Sequence, residues 1–188
     1  IECSTTSPTW IAELNAAAKT KGVSFMDAPV AGSRPQAEAK ELVFLAGGSG
    51  ADIARFEPVS KAMGKAILHA GETGKGAVLK LMVNGLLAVQ TAALAEIMAF
   101  GAASGIAPEQ AVELLSPIPV TSPAASFVAG QIARGAHDPM FTVDLMEKDL
   151  GYLAGSQSSP LISETRARFA NASERGHGGK HITAVALG

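Results

Sequence analysis

The sequence has a single cysteine, Cys3, among its 188 residues. One cysteine excludes an internal disulfide and is typical of proteins from a reducing compartment, so we expect a cytoplasmic location. Basic residues are not in excess either, because 15 Lys and Arg stand against 17 Asp and Glu. The resulting net charge of −2 provides no positive field for phosphates, and we expect no nucleic-acid partner.

Proline is absent from the longest apolar stretch of the chain, residues 75–104. This stretch is rich in Ala, Leu and Met and predicts one long helix. A membrane span is the alternative, but Asn84, Gln90 and Glu96 interrupt the run, and no aromatic belt or basic flank marks its ends. We therefore expect a helix that crosses a domain, and no membrane partner.

Two polar side chains on this helix, Lys80 and Asn84, lie four residues apart and so leave the same face. An ammonium and an amide held side by side on an apolar helix indicate an active site. The alternative is that Lys80 lays its aliphatic stem over the core and has no function.

The first third of the chain alternates between helical and extended patterns. Ser7 and Pro8 predict the start of a helix that Gly22 ends. Strands are predicted over Val23–Ala28, Leu42–Ala46 and Ala66–His69, a loop over Pro29–Pro35, and a second helix over Asp52–Met63. Alternation of this kind indicates an α/β layer.

The rest of the chain predicts helices alone. They are expected over Pro108–Leu115, Ala124–Arg134, Val143–Gly155 and Leu161–Glu174, with a short one over Ile182–Leu187. Pro117, Pro119 and Pro123 require a connection over residues 116–123. His177 and His181 are separated by a Gly-Gly pair that disfavours a helix, so we predict a solvated tail here and no metal site.

Four motifs follow one another along the chain: Cys3–Pro8, Asp27–Gly32, Gly71–Gly76 continuing to Lys80 and Asn84, and Phe141–Asp149. Together they resemble the β-hydroxyacid dehydrogenase family, a 6-phosphogluconate dehydrogenase-like group that includes 3-hydroxyisobutyrate dehydrogenases and glyoxylate/succinic semialdehyde reductases. The resemblance implies an α/β partial Rossmann-like domain over residues 1–72. An all-α helical bundle, built on a long interdomain helix, would follow over residues 73–188.

The family's Gly-x-Gly-x-x-Gly phosphate motif does not occur in the sequence. We therefore expect the chain to lack the N-terminal part of the nucleotide-binding domain. The cofactor that the resemblance implies is NAD or NADP.

The resemblance also implies a role for each site residue. Lys80 is the catalytic general acid, or base in the oxidative direction, and Asn84 holds the substrate against it. Substrate-binding residues are Ala31, Gly32, Ser33, Phe141 and Asp149, and cofactor-binding residues are Thr5 and Lys148. Ala31 stands where the family usually has serine, which bears on the substrate more than on the reaction.

The function expected on this basis is an NAD(P)-dependent oxidoreductase. It would interconvert a small 3-hydroxy acid and its semialdehyde, or reduce glyoxylate or succinic semialdehyde. One alternative is a non-catalytic binding or oligomerisation module that keeps the dehydrogenase scaffold, and the other is an imine reductase on that scaffold. The long apolar helix favours self-association, and we expect a homodimer or homotetramer.

Overall fold

The structure, a computed structural model, describes residues 1–155 and 159–188. It divides into two compact units, Ile1–Val83 and Asn84–Gly188, and the division falls within the long helix. The domain boundary expected after residue 72 stays a prediction. Along the first unit the elements are α1 (Pro8–Thr20), β1 (Val30–Ala31), α2 (Arg34–Glu38), β2 (Leu42–Gly47), α3 (Gly50–Ser60), β3 (Gly64–Gly71) and the start of α4 (Lys75–Ala103).

The strands form a three-stranded sheet in the order β1-β2-β3. β1 pairs antiparallel with β2, and β2 pairs parallel with β3 through α3, the crossover that a parallel pair requires. β2 is the apolar strand expected from the sequence, and Phe44 on it packs edge-on against Phe56 of α3, with ring centroids 5.0 Å apart. This contact belongs to the core of the first unit.

The strand predicted over Val23–Ala28 was wrong. Within this segment only Asp27 forms bridges, one parallel to Glu2 and one antiparallel to Gly47. The loop predicted over Pro29–Pro35 was also wrong in part, because it contains β1 and the first residues of α2. Short pairings of this kind leave no periodic signal in the sequence.

Helix α4 confirms the long helix expected from the absence of proline. Its 29 residues span about 43 Å at about 1.5 Å per residue. Among the described residues it is the one helix that is long and apolar enough to cross a membrane, which is weak evidence for a span on its own. Only 22% of its most apolar window is buried, and exposed apolar side chains on it include Met82, Leu86 and Phe100.

The second unit is helical. After α4 it contains α5 (Pro108–Leu115), α6 (Pro123–Ala133), α7 (Val143–Ala154), α8 (Pro160–Ala172), a π-helical turn over Ser173–His177 and a 3₁₀ helix over Ile182–Leu187. Prolines stand in the first turn of α5, α6 and α8, where their missing N–H costs no hydrogen bond. The four long helices therefore begin within one residue of the predicted positions.

The solvated tail predicted around His177 and His181 was wrong. Ile182, Ala184 and Val185 are buried in a core cluster with residues of α4, α7 and α8, including Met146 and Phe169. The Val143 N–H donates to Lys180 O at 3.0 Å, which ties the C-terminal segment to the start of α7. Apolar side chains after the glycines, rather than the glycines, determine where this segment lies.

Candidate functional site

A buried amide–carboxylate pair lies in the second unit. Asn84 of α4 donates from Nδ2 to Asp149 Oδ2 of α7 at 2.6 Å, and the two residues are 2% and 3% exposed. A carboxylate can only accept, so the group of Asn84 that faces Asp149 must be its NH2. This hydrogen bond turns the Asn84 carbonyl Oδ1 away from Asp149 and leaves it as an acceptor.

Lys148 supplies the countercharge for the buried carboxylate. Its Nζ lies 2.8 Å from Asp149 Oδ1, and its side chain is 37% exposed. Oδ1 has no well-directed hydrogen bond among the described residues, so the charge of Asp149 on this side is compensated by the ion pair. A buried carboxylate held by an amide and an ammonium is costly to build, which makes Asp149 a candidate for a functional residue.

Removing either partner of the Asn84–Asp149 hydrogen bond should destabilise the second unit. We expect Asn84→Ala and Asp149→Ala each to cost about 3 kcal/mol, because each leaves a buried polar group without its partner. The double variant should cost less than the sum, with a coupling of about 2 kcal/mol. Urea unfolding followed by circular dichroism measures all of these values.

The matched control for this cycle is the pair Gln90 and Ser122, which also joins α4 to another helix. Ser122 Oγ donates to Gln90 Oε1 at 2.7 Å, but both side chains are neutral and half-buried. Their coupling should stay below about 1 kcal/mol. A coupling for Asn84 and Asp149 no larger than this would contradict the prediction.

Lys80 lies in the second turn of α4 and is half-buried. It precedes Asn84 by four residues, so the helix itself places both side chains on one face. The pairing predicted from the sequence spacing is therefore consistent with the helix that the structure shows. The roles of both residues stay predictions.

The predicted substrate loop is built around a glycine with a left-handed backbone. Gly32 has a φ of 122°, and a Cβ there would lie 3.0 Å from Leu42 Cδ2. Ala31 pairs with Val43 in the sheet, while the Ser33 N–H donates to Gln36 Oε1 at 2.9 Å. The Ser33 N–H is therefore engaged at the start of α2, while Gly32 is the loop position where the positive φ and the neighbouring Leu42 side chain leave no room for a Cβ.

Two other predicted site residues, Thr5 and Phe141, lie just before helices. Thr5 is half-buried in the segment between Glu2 and α1. Phe141 is half-buried before α7, packs on the core cluster of the second unit, and accepts the Ile182 N–H at 2.8 Å through its carbonyl. Its ring is thus held by packing, as a pocket wall would require.

Asp27 is a buried residue whose partners the sequence reasoning missed. It is 0% exposed; its Oδ1 accepts the Gly74 N–H at 2.6 Å and its Oδ2 accepts the Ala77 N–H at 2.7 Å. Gly74 directly precedes α4 and Ala77 lies in its first turn, so both donors belong to the helix N-terminus, whose unpaired N–H groups carry partial positive charge. An aspartate inside an otherwise apolar segment was the available signal for a buried carboxylate.

The glycines around Asp27 make room for it. A Cβ on Gly47 would lie 2.5 Å from Asp27 Oδ1, and a Cβ on Gly76 would lie 2.2 Å from Leu45 O. Both distances are shorter than real contacts of a Cβ atom. The carboxylate therefore fixes the start of the helix that carries Lys80.

His137 and His181 hold the C-terminal segment in the second unit. His181 is 5% exposed and its Nδ1 lies 3.0 Å from Phe141 O, while His137 Nδ1 lies 2.9 Å from Thr183 Oγ1. Burial lowers the pKa of His181. Burial, followed by the charges of Lys180, His181 and His177, lowers the pKa of His137.

These shifts predict a loss of stability in mild acid. Both pKa values in the folded protein lie below the ordinary value of 6.5, so the unfolded chain binds protons first as the pH falls. Stability is complete above pH 6.5 and falls as the pH drops from there toward the folded-state pKa values. Urea midpoints measured in steps below neutral pH should show this slope.

The double variant His137→Gln, His181→Gln should flatten that slope, whatever its absolute stability. His69→Gln is the matched control, because His69 lies on β3 in the other unit. Equal slopes in the wild type and the double variant would contradict the assignment.

The described residues include candidates for binding a dinucleotide but no cluster that could bind a metal ion. Within residues 1–155 and 159–188 no group of three or more His, Cys, Asp and Glu is placed to hold a metal ion. Glu2 forms a parallel bridge with Asp27, and Thr5 follows Glu2 toward the C-terminus. Nucleotides bind beyond the carboxyl ends of parallel strands, which is where Thr5 lies relative to this bridge. Lys148 carries an ammonium on a side chain that is 37% exposed, and an ammonium suits a phosphate or another polar group. Each of these residues fits a dinucleotide.

Two family models match the chain. One is described as the NAD-binding domain of NADP-dependent 3-hydroxyisobutyrate dehydrogenase and matches residues 74–186. The other is described as the NAD-binding domain of 6-phosphogluconate dehydrogenase and matches residues 1–71.

Individual proteins are similar over most of the chain. A 3-hydroxyisobutyrate dehydrogenase of Pseudomonas aeruginosa is 36% identical over 90% of this chain and 61% of its own length. An NAD-dependent L-serine dehydrogenase of the same organism is 34% identical over 87% of this chain and 59% of its own length. The chain thus spans about three fifths of the curated relatives it matches.

A crystal structure of 3-hydroxyisobutyrate dehydrogenase from Salmonella typhimurium superposes with a TM-score of 0.89 at 29% identity. The match covers 98% of this chain and 67% of that chain. The fold expected from the sequence, a partial Rossmann-like domain followed by a helical bundle, is confirmed.

Proposed function

The chain belongs to the β-hydroxyacid dehydrogenase family, and from this membership we propose that it is part of an NAD(P)-dependent oxidoreductase. The reaction proposed is the interconversion of a small 3-hydroxy acid and its semialdehyde. The observation that carries the proposal is the buried Asn84–Asp149 hydrogen bond, one helical turn beyond Lys80. The position of this buried carboxylate, bound to Asn84 close along α4 to an ammonium that could exchange a proton, supports a catalytic site over a scaffold without a reaction.

Lys80 is the proposed general acid and base. When the aldehyde is reduced, negative charge develops on its oxygen, and a neighbouring ammonium stabilises that charge and donates a proton. In the oxidative direction the neutral amine of Lys80 accepts the proton of the hydroxyl group. Its half-buried position on α4 suits this role, because a side chain in a partly dry site interacts more strongly with developing charge.

Asn84 and Asp149 are proposed to orient the substrate. With Nδ2 bound to Asp149, Asn84 can accept a hydrogen bond from a substrate hydroxyl group at Oδ1. The carboxylate of Asp149 thereby fixes which end of the amide the substrate meets. An asparagine without this partner would rotate between two orientations and would bind a hydroxyl group less selectively.

The substrate carboxylate is proposed to bind at the loop of Ala31, Gly32 and Ser33. Because the Ser33 N–H is occupied by Gln36, the Gly32 backbone is the better candidate for this contact. Phe141 would provide an apolar wall. Relatives named for L-serine and 3-hydroxyisobutyrate support this substrate class, since both compounds are 3-hydroxy acids.

The expected cofactor, NAD or NADP, is confirmed by family models described as NAD-binding domains. When bound, it supplies or accepts the hydride. Thr5 would hold the ribose through its hydroxyl, and Lys148 would hold a polar or anionic part of the dinucleotide through its ammonium. The role of Thr5 is proposed from its place after Glu2 in the first unit, and the role of Lys148 from its place on α7 in the second unit.

Self-association and location complete the proposal. The exposed apolar side chains of α4 support a homodimer or homotetramer, because apolar patches of this kind usually become covered. We propose a cytoplasmic location from the single cysteine, and neither a membrane nor nucleic acid as a partner.

The test is an assay of the full-length gene product. L-Serine and 3-hydroxyisobutyrate are offered with NAD+ and NADP+, and glyoxylate and succinic semialdehyde with NADH and NADPH, while the absorbance of the reduced cofactor is followed. Turnover of at least one of these substrates is the expected result. Cofactor binding without turnover of any of them would favour a non-catalytic module, and turnover of a cyclic imine alone would favour an imine reductase.

A further inference from the structure

The ammonium of Lys148 has a second neighbour besides Asp149. It lies over the ring of Tyr152, 5.1 Å from the ring centroid. Tyr152 follows Lys148 by four residues on α7, which is the spacing that brings two side chains of a helix together. The distance is within the range of a cation–π interaction.

The ion pair between Lys148 and Asp149 joins two residues that are adjacent in sequence. Adjacent residues of a helix point about 100° apart and do not face each other. For its Nζ to lie 2.8 Å from Asp149 Oδ1, the Lys148 side chain must bend across the helix surface. A lysine that is 37% exposed would otherwise extend into water and gain rotamer entropy.

The Tyr152 ring lies where it can hold the bent lysine. The ring face attracts the ammonium from one side, while the Asp149 carboxylate attracts it from another. Both of these partners belong to the same helix as Lys148. The cation is therefore kept at the surface next to the buried Asn84–Asp149 pair.

We propose that Tyr152 is a positioning residue, whose ring holds the Lys148 ammonium in place for the dinucleotide. This inference rests on the proposed function. It depends on the aromatic face and not on the phenol hydroxyl, so phenylalanine should replace tyrosine without loss. Leucine has a similar volume but no π face, and it should release the lysine.

The first measurement is independent of any reaction. Lysines of the full-length protein are reductively methylated with 13C, and the Lys148 signal is identified by its absence in Lys148→Arg. A methyl group over an aromatic face has its NMR signal shifted upfield by the ring current. We expect this shift in the wild type and in Tyr152→Phe, and its loss in Tyr152→Leu.

The second measurement is the Kd of NADH and NADPH by fluorescence titration. Tyr152→Leu should raise the Kd of the preferred cofactor about fivefold, the size of one cation–π contact at a partly exposed site. Tyr152→Phe should bind as the wild type does. In a Lys148→Met background the change Tyr152→Leu should have no further effect, because the group it positions is gone.

These results separate the inference from the function on which it rests. The role of Tyr152 would be overturned if Tyr152→Leu bound the cofactor as tightly as the wild type does. It would also be overturned if the Lys148 methyl signal of the wild type showed no upfield shift. A wild type that binds neither cofactor would overturn the proposed function, whatever the NMR signal. Thermal unfolding of Tyr152→Leu, Tyr152→Phe and Lys148→Met checks that the comparison is made between folded proteins.

Discussion

Replacing Lys80 with methionine is expected to lower kcat about a thousandfold, within the range of 10²–10⁴ that a general acid usually contributes. Methionine keeps the length and the apolar stem of lysine, so the packing around α4 changes little. What is lost is the ammonium that donates the proton and stabilises the developing oxyanion. The KM of the substrate should change much less than kcat, because this interaction is strongest in the transition state.

Lys75→Met is the matched control for this variant. Lys75 is the first residue of the same helix and is exposed, so its loss removes the same charge from the same element. Its kcat should stay within about twofold of the wild type, since surface substitutions have small effects. Equal kcat values in Lys80→Met and the wild type, measured by reduced-cofactor absorbance, would show that Lys80 is not the acid.

Replacing Asp27 with asparagine is expected to lower the free energy of unfolding by about 3 kcal/mol. The carboxylate accepts two N–H groups at the start of α4, at 2.6 and 2.7 Å. Asparagine has one acceptor oxygen, so one of those donors would face an NH2 group instead. The variant also loses the negative charge that interacts favourably with the helix N-terminus.

Asp52→Asn is the control for the Asp27 variant. Asp52 lies in the first turn of α3 in the same unit and accepts hydrogen bonds from Ser24 and Ser49, but it is half-buried, whereas Asp27 is 0% exposed. Its replacement should cost less than about 1 kcal/mol, because water satisfies the groups that it leaves. Urea unfolding compares the two variants directly, and similar costs would contradict the buried-carboxylate account of Asp27.

The loss of stability in Asp27→Asn and the loss of kcat in Lys80→Met concern neighbouring turns of α4. Asp27 stabilises the first turn of α4, and Lys80 lies in the next turn. Asp27→Asn should therefore also lower kcat by loosening the turn that positions Lys80. The stability loss is the primary readout, because it does not depend on the proposed reaction.

The sequence by itself determined the longer helices of this protein, although it did not predict the short helix α2. Proline is absent from α4, which lets the helix continue, and it stands in the first turn of α5 and α6, where it favours a helix start. Local backbone chemistry therefore determines where these helices lie. The same chemistry located Lys80 and Asn84 on one helix face, since helix geometry alone relates residues four apart. The apolar composition of β2 was sufficient for the buried strand.

Tertiary structure alone decided the partners of the buried polar groups. Asn84 meets Asp149, and Asp27 meets the backbone of Gly74 and Ala77, across sequence separations that no periodic pattern encodes. The C-terminal segment illustrates the same limit, because its glycines and histidines resemble a solvated tail while its apolar residues complete a core. The free energy of burying Ile182, Ala184 and Val185 outweighs the local preference of the glycines, and this depends on surfaces that exist only in the folded unit.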